Sequence, residues 1–279
     1  MEKYSVLMSV YCKEKAEYFR QAIDSMLSQT VQPDEFVLVC DGPLTPELDA
    51  MINEYKQAQP ELFKVIRLEE NRGLGIALSV GLQECSHELV ARMDTDDISL
   101  PDRLEKQLSL MQANPQISAV GGQIAEFYDD PETVMDYRIV PQTHEDIYKR
   151  ASSRNPMNHM TVVYKKSHVM ESGNYDDHPG FEDYHLWVKM LSKGYRFMNI
   201  PDVCCHVRTG EGLAKRRCGV SYFRHTWRME KLLREKGMLT LFQFWKNVSV
   251  RFVGTVLLPP CMISVLYKKT MRQSKKSAH

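Results

Sequence analysis

The chain has 279 residues, 43% of them hydrophobic, and 36 basic side chains against 36 acidic ones. Such a length and apolar share supply the core of one large domain, or of one domain with an extension, and exclude a disordered or collagen-like chain. The zero net charge excludes neither nucleic acid nor an anionic membrane as a partner, because it is an average: residues 211–279 carry +12 and residues 1–210 carry −12.

No positively charged leader precedes a long apolar stretch, so no secretion signal is expected. Val6-Leu7-Met8-Ser9-Val10 is an apolar run typical of a buried strand, and Phe19, Ile23, Met26 and Leu27 give residues 17–28 helical spacing. Phe36 to Cys40 is a second strand, ending at Asp41-Gly42. Thr45, Pro46 and Glu47 then offer an N-cap, a first-turn proline and an acidic first turn for a helix to Ala58. Phe63 to Leu68 is a third strand, Leu74 to Cys85 a third helix and Leu89 to Met93 a fourth strand. This alternation predicts the α/β class, with a parallel sheet and helices on both faces. Ligands of such sheets bind beyond the carboxyl ends of the strands, where Tyr11, Asp41, Arg72 and the run Asp94-Thr95-Asp96-Asp97 are expected to converge.

Leu104, Leu108 and Met111 define a helix after Pro101, and Ile117 to Tyr128 a strand. Residues 144–164 look less regular, with a polar loop from Arg154 to His159 before a strand from Met160 to Tyr164. Glu182 opens a helix through Leu191, closed at Gly194. Val203 to Val207 is a buried strand in which His206 is expected to be a satisfied core residue. Past Gly210, an amphipathic helix with a basic face runs to Leu233 and ends by Gly237. The 21 residues of 247–267 have Arg251 as their one charge, enough to cross a bilayer. Pro259-Pro260 would break that helix, so a helical hairpin lying in the membrane interface is expected, with Lys268, Lys269 and residues 272–276 among anionic headgroups. The seven cysteines form no Cys-x-x-Cys and are read as reduced core residues of a cytosolic protein.

Asp94-Thr95-Asp96-Asp97 carries the most chemistry. Residues two apart on an extended segment project to the same side, so Asp94 and Asp96 can face one ligand, and Mg²⁺ or Mn²⁺ takes such carboxylates together with phosphate oxygens. The competing possibility is a solvated acidic turn before the next helix. Asp41 can accept from a ribose or base, while Asp-Gly is equally a turn signal. Arg72 can approach a nucleotide or lie on the surface. Acidic residues such as Glu182 and Asp183 are favoured at a helix start by the dipole, and can alternatively include a catalytic base. Asn158 and His159 can line an acceptor pocket or belong to a turn.

Taken in order, several segments resemble the family 2 glycosyltransferases, whose fold is GT-A. They are Ser5 to Tyr11, Ser25 to Thr30, Phe36 to Gly42, Asn71-Arg72-Gly73-Leu74-Gly75, Ala91 to Asp97 with Pro101 to Leu104, and Glu182-Asp183-Tyr184. The resemblance covers about residues 4 to 200. The run Asn155 to Thr161 is similar to a segment of the family's capsule and O-antigen branch. What the resemblance implies is a nucleotide-sugar-binding GT-A catalytic domain at 1–210 and a basic, amphipathic helical, membrane-associating extension at 211–279. It implies a UDP-sugar donor contacted by Tyr11, Asp41, Arg72, Asp94 and Asp96, with Mn²⁺ or Mg²⁺ held by Asp94, Asp96 and Asp97. Asp183 would be the general base, and Glu182, Asn158 and His159 would lie toward the acceptor.

The Gln-x-x-Arg-Trp signature of processive members is absent, so one hexose, of glucose or galactose type, would be added to an undecaprenyl-diphosphate-linked saccharide with inversion to a β-glycoside. The expected place is the cytoplasmic face of a bacterial inner membrane, as a peripheral protein in O-antigen or capsule synthesis. Two alternatives are a nucleotidyltransferase, which normally has a glycine-rich phosphate loop absent from Tyr11 to Lys15, and a non-catalytic nucleic-acid-binding module. Aromatic residues of the tail accompany aliphatic runs, which suits a membrane and not nucleic acid.

Overall fold

Side chains along β1 (Tyr4–Val10) leave alternately to opposite faces: Val6, Met8 and Val10 enter one apolar cluster and Leu7 another. β2 (Glu35–Cys40) repeats this, with Phe36, Leu38 and Cys40 on the first face and Val37 and Val39 on the second. Strands buried on both faces read as continuous apolar runs, which is why these two were visible in the sequence. The computed structural model describes residues 2–209, 219–257 and 273–274. The first cluster is covered by α1 (Ala16–Leu27), α2 (Pro46–Ala58) and α4 (Arg103–Ala113), and the second by α3 (Leu74–Glu84), α5 (His144–Ala151) and α7 (Glu182–Ser192). Trp187 of α7 is fully buried at the centre of the second cluster.

β1 is parallel to β2 and β4 (Leu89–Arg92), and β2 is parallel to β3 (Phe63–Arg67). These are the four strands expected to form a parallel sheet, and they do; beyond β4 the sheet is mixed. The three-residue β8 (Val163–Lys165) lies between β4 and β6 (Ile117–Phe127), antiparallel to both. The polar loop before β8 sits at the carboxyl end of the sheet, so the strand leaving it has to run back. β7 (Asp136–Arg138) pairs antiparallel with β6, giving the order β7-β6-β8-β4-β1-β2-β3. β9 (Arg196–Arg208) runs parallel to β6 and also pairs with β5 (Ile98–Ser99) through Ile98 opposite His206 and Ser99 opposite Cys205. That second pairing ties the acidic loop after β4 to the end of β9. His206 is half-buried there and not a core residue.

The region 144–164 is more regular than its sequence suggested. Thr143 caps α5 by accepting from the Asp146 N–H, with acidic residues in the first turn and basic ones in the last, favourable for the helix dipole. Met160 and Thr161 belong to a single 3-10 turn (His159–Thr161) and not to the strand, and α6 (Lys166–Glu171) follows β8. Of the described cysteines, Cys40, Cys85, Cys204 and Cys205 are buried thiols, whereas Cys12 is exposed because it stands in the loop after β1.

α8 (Gly219–Glu235) packs Met229 and Leu233 into the same cluster as Trp187. α9 (Leu241–Phe252) begins with a capping box formed by Thr240 and Gln243. Its Arg251 Nε stands 2.7 Å from Oε1 of Glu230, a fully buried carboxylate of α8 to which Asn247 also donates. No helix among the described residues is long and apolar enough to cross a membrane. Pro259-Pro260, Lys268 and Lys269 lie outside the described residues. Gln273 and Ser274, expected among headgroups, form an edge strand, β10 (Gln273–Ser274), on β7. An edge strand offers unpaired backbone groups to any extended segment that reaches it.

Candidate active site

β1 lies between β2 and β4, so the chain order reverses at β1, and in open α/β sheets the crevice at such a point receives ligand. A cleft of about 700 Å³ opens there, lined among others by Tyr11, Asp41, Gly73, Asp94, Asp96 and Arg208. Of the residues expected from the sequence to meet at this edge, Tyr11, Asp41, Asp94, Thr95 and Asp96 line the cleft, whereas the Arg72 side chain and Asp97 do not.

Asp41 follows β2 directly and is buried. Its Oδ1 accepts from the Arg72 N–H at 2.7 Å and its Oδ2 from the Gly73 N–H at 2.9 Å. Gly42 makes this approach possible: its φ is +85°, and a Cβ there would lie 2.6 Å from Asn71 N. Asp41 thus fixes the loop that enters α3. Arg72 contributes its backbone N–H, while its side chain is exposed and outside the cleft lining. Tyr11, 42% exposed, also lines the cleft.

The acidic loop follows Arg92, the last residue of β4. Arg92 is 1% exposed, and its Nη2 lies 2.5 Å from Asp94 Oδ1. Its Nε and Nη1 have no hydrogen-bond partner among the described residues. Asp94 and Asp96 are half-buried on the cleft wall, and Asp96 makes no ion pair among the described residues. Burial, then the charges of Asp94 and Glu14, push the Asp96 carboxyl up to about 7. Burial, then Asp96 and Asp94, push Asp97 well above the usual carboxylate range. Carboxylates crowded this way, with hard oxygens directed at a cleft, fit a divalent cation of the Mg²⁺ or Mn²⁺ type, which Asp94 and Asp96 would hold. Asp97 is placed differently from the expectation: it is 2% exposed and its Oδ1 accepts from the Arg208 N–H at 3.0 Å, so it braces the loop from behind.

Asp183 stands in the first turn of α7 and is half-buried. It accepts from the Asn155 amide and from the Tyr184 N–H. Burial raises its pKa, against the lowering effect of those donors and of Arg138 and Arg92; Glu182 is raised by burial as well. Neither residue lines the 700 Å³ cleft. Glu182 packs on Gly75, the residue after the cleft-lining Gly73 and Leu74: a Cβ there would lie 2.1 Å from Asp176 O and 3.1 Å from Glu182 Cγ.

Asn158 does not face an acceptor. It is fully buried, and its amide donates to Gly122 O at 2.8 Å, tying the loop to β6. His159 Nε2 lies 3.1 Å from Tyr175 Oη with its ring edge-on to Trp187, and burial, then Arg92, hold it well below the usual His range. Its ring packs against Tyr175 and Trp187 and does not line the 700 Å³ cleft.

Three functional candidates were not assigned from the sequence. Arg92 left a signal, a charge inside an otherwise apolar strand, and Asn155 stood in the quoted loop without a role. Arg208 left none, because it is the long-range pairing of β9 with β5 and β6 that carries the end of β9 to the cleft. There its guanidinium lies 3.7 Å from the ring centroid of Tyr18 and 4.6 Å from that of Phe127, and donates to Gln21 Oε1 at 2.8 Å.

Residues 5–172 match the family model described as glycosyl transferase family 2. The chain is 38% identical over 271 residues to amylovoran biosynthesis glycosyltransferase AmsE of Erwinia amylovora, covering 95% of this chain and 98% of that one. It is 33% identical over 271 residues to the UDP-Gal:alpha-D-GlcNAc-diphosphoundecaprenol beta-1,3-galactosyltransferase of Escherichia coli, covering 97% of each. Its fold is similar to that of the mannosyltransferase PcManGT of Pyrobaculum calidifontis, solved with GDP-Man and Mn²⁺, with a TM-score of 0.64 at 16% identity over 99% of this chain and 77% of that one.

Proposed function

The chain belongs to glycosyl transferase family 2 and has the GT-A fold, and from that premise we propose that it is an inverting, metal-dependent hexosyltransferase. It moves one hexose, of glucose or galactose type, from a UDP-sugar to a hydroxyl of an undecaprenyl-diphosphate-linked saccharide, in bacterial O-antigen or capsule synthesis. The donor and acceptor classes are supported by the Escherichia coli relative, whose name states both. The observation that carries the chemistry is the placement of two acidic groups: Asp94 and Asp96 line the donor cleft, and Asp183 stands beside Glu182, which packs on Gly75, the residue after the cleft-lining Gly73 and Leu74.

Asp183 takes the proton of the acceptor hydroxyl as that oxygen attacks the anomeric carbon from the face opposite the diphosphate, which converts an α-linked donor into a β-glycoside. Asn155 keeps the carboxylate oriented and favours its charged form. Tyr11 and Asp41 flank the nucleotide, and Lys13, Lys15 and Arg208 bring positive charge to the diphosphate side of the cleft. Mn²⁺ or Mg²⁺ held by Asp94 and Asp96 supplies Lewis-acid stabilisation of the leaving diphosphate.

The protein works as a peripheral protein on the cytoplasmic face of the inner membrane, where its lipid-linked acceptor resides. Exposed apolar side chains of α9 support this, with Phe242 79% and Trp245 53% exposed and Trp227 of α8 within 6.0 Å of the Trp245 ring. Aromatic rings rimmed by basic residues suit a lipid interface. The deciding experiment incubates the protein with Mn²⁺, a synthetic GlcNAc-diphosphate-lipid and each UDP-hexose or N-acetyl form, following UDP release and product anomericity by NMR. A β-linked product from one donor is expected. No transfer from any UDP-sugar, or an α-linked product, would overturn the proposal.

A further inference from the structure

A second cluster of metal-ligating side chains lies outside the donor cleft. Asp176 and His178 stand in the loop before α7, and His185 projects from the second turn of that helix. Their ligating atoms all lie within 4.8 Å of one another, and all three residues are half-buried. The two imidazole rings are 3.9 Å apart between centroids and inclined by 37°. None of the three lines the cleft that holds Asp94 and Asp96.

The relation between His185 and Asp176 is informative. Nδ1 of His185 is 2.9 Å from Asp176 Oδ2, yet this buried nitrogen makes no hydrogen bond of good geometry among the described residues. Two donor atoms each about 2.0–2.1 Å from one ion come within roughly 3–3.4 Å of each other without pointing at each other. Lys189 is the cation that now faces Asp176, with Nζ 2.9 Å from the same Oδ2. It also donates to Asn174 O at 2.6 Å and meets Gly173 O at 3.5 Å, so it keeps acceptors when the carboxylate turns to another cation.

We propose that Asp176, His178 and His185 form a second metal site, for Zn²⁺ or a similar borderline cation, with a fourth position left to water. Two imidazoles and one carboxylate favour such an ion, whereas the all-carboxylate pair Asp94 and Asp96 favours a hard one. The bound ion fastens the loop at 176–178 to the helix that begins with Glu182 and Asp183. That loop is also the one whose Asp176 carbonyl leaves no room for a side chain at Gly75. The clip therefore joins the donor-side helix α3 to the element bearing the base.

The test uses the full-length, untagged protein and Co²⁺ as a spectroscopic stand-in for Zn²⁺. One equivalent of Co²⁺ should give the visible absorption of a four-coordinate nitrogen and oxygen site, displaced by Zn²⁺. The band should be lost in His178→Ala and in His185→Ala, and kept in Asp94→Asn and Asp96→Asn. Zn²⁺ should raise the melting temperature of the natural protein and leave that of the two histidine variants unchanged; circular dichroism of each variant controls for folding. The proposal is overturned if no such band forms, if it persists in the doubly substituted histidine variant, or if it disappears in Asp94→Asn.

Discussion

Arg92 Nη2 and Asp94 Oδ1 stand 2.5 Å apart, a fully buried guanidinium holding a carboxylate on the wall of the cleft. The pair joins the inside of the sheet to the position where a cation is expected. Replacing Arg92 by Met leaves Asp94 without its orienting charge, and groups behind metal ligands typically govern affinity by about 10–100-fold. Arg92→Met should weaken Mn²⁺ binding to that extent in calorimetry. Removing one member of a buried pair also costs about 3–5 kcal/mol, so the melting temperature should fall. Arg92→Lys should not restore affinity, since an ammonium lacks the planar fork.

Asp96 sets a pH dependence for metal binding. Its carboxyl, pushed up to about 7, has to lose a proton before it can ligate. Mn²⁺ affinity should therefore fall about tenfold per unit as pH drops below about 7, the behaviour of a single coupled proton. The folded pKa lies above the unfolded one, so this group's contribution to stability is present at low pH and lost as pH rises toward and past 7. Melting temperatures in chelator should decline over that window, and Mn²⁺ should restore them. Curves that coincide with and without Mn²⁺ would contradict the assignment.

In the proposed reaction, Asp183 would act as the base and Asn155 would orient it. Asp183→Asn should lower kcat by about 10²–10⁴-fold while UDP binding stays intact. The Asn155 amide favours the charged carboxylate, so Asn155→Ala should raise the Asp183 pKa further and move the acid limb of the pH–rate profile upward. An unmoved acid limb would remove Asn155 from this role.

Arg208 enters the cleft stacked beside Tyr18 and Phe127. Arg208→Ala leaves its backbone N–H bond to Asp97 available but removes positive charge from the diphosphate side. A kcat reduced by about 10²–10³-fold is the expected outcome for loss of one preorganised donor to developing charge. A change confined to KM for the acceptor would place Arg208 elsewhere in the reaction.

The aromatic side of α9 should carry lipid binding. Phe242→Ser with Trp245→Ser should weaken sedimentation with anionic vesicles by at least about tenfold, as burial of two large apolar side chains is worth several times RT. Transfer to a short-chain, water-soluble acceptor should be unchanged. Loss of both together would mean that α9 has been unfolded and not merely undocked.

The first hundred residues were legible because β1, β2 and β4 are buried on both faces and read as apolar runs, and because α2 carries both its spacing and its cap. Beyond β4 the sequence was less informative. β8 has three residues, too few to show a period, and its antiparallel placement follows from the loop that precedes it. α5 did carry signals, in Thr143 and the charges at its two ends, but its few apolar residues masked them. Asp94, Asp96 and Asp41 were found because strand ends and acidic spacing are local properties. Arg208 and the buried state of Asn158 depend on pairings between distant segments, β9 with β5 and the loop with β6, which no local pattern encodes.

The buried Glu230 with Arg251 does more than join two helices. α8 is seated on α7 through Met229 and Leu233, and Arg251 and Asn247 hold α9 to α8. Through these contacts the helix carrying Phe242 and Trp245 is linked to the one carrying Asp183. Whatever surface those rings rest on would then be held at a set distance from the proposed base, like the stop on a depth gauge. In the proposed reaction, a saccharide anchored in that surface would offer for attack the hydroxyl that stands at the level of Asp183, so the packing of helices remote from the sugar would select the length of the acceptor.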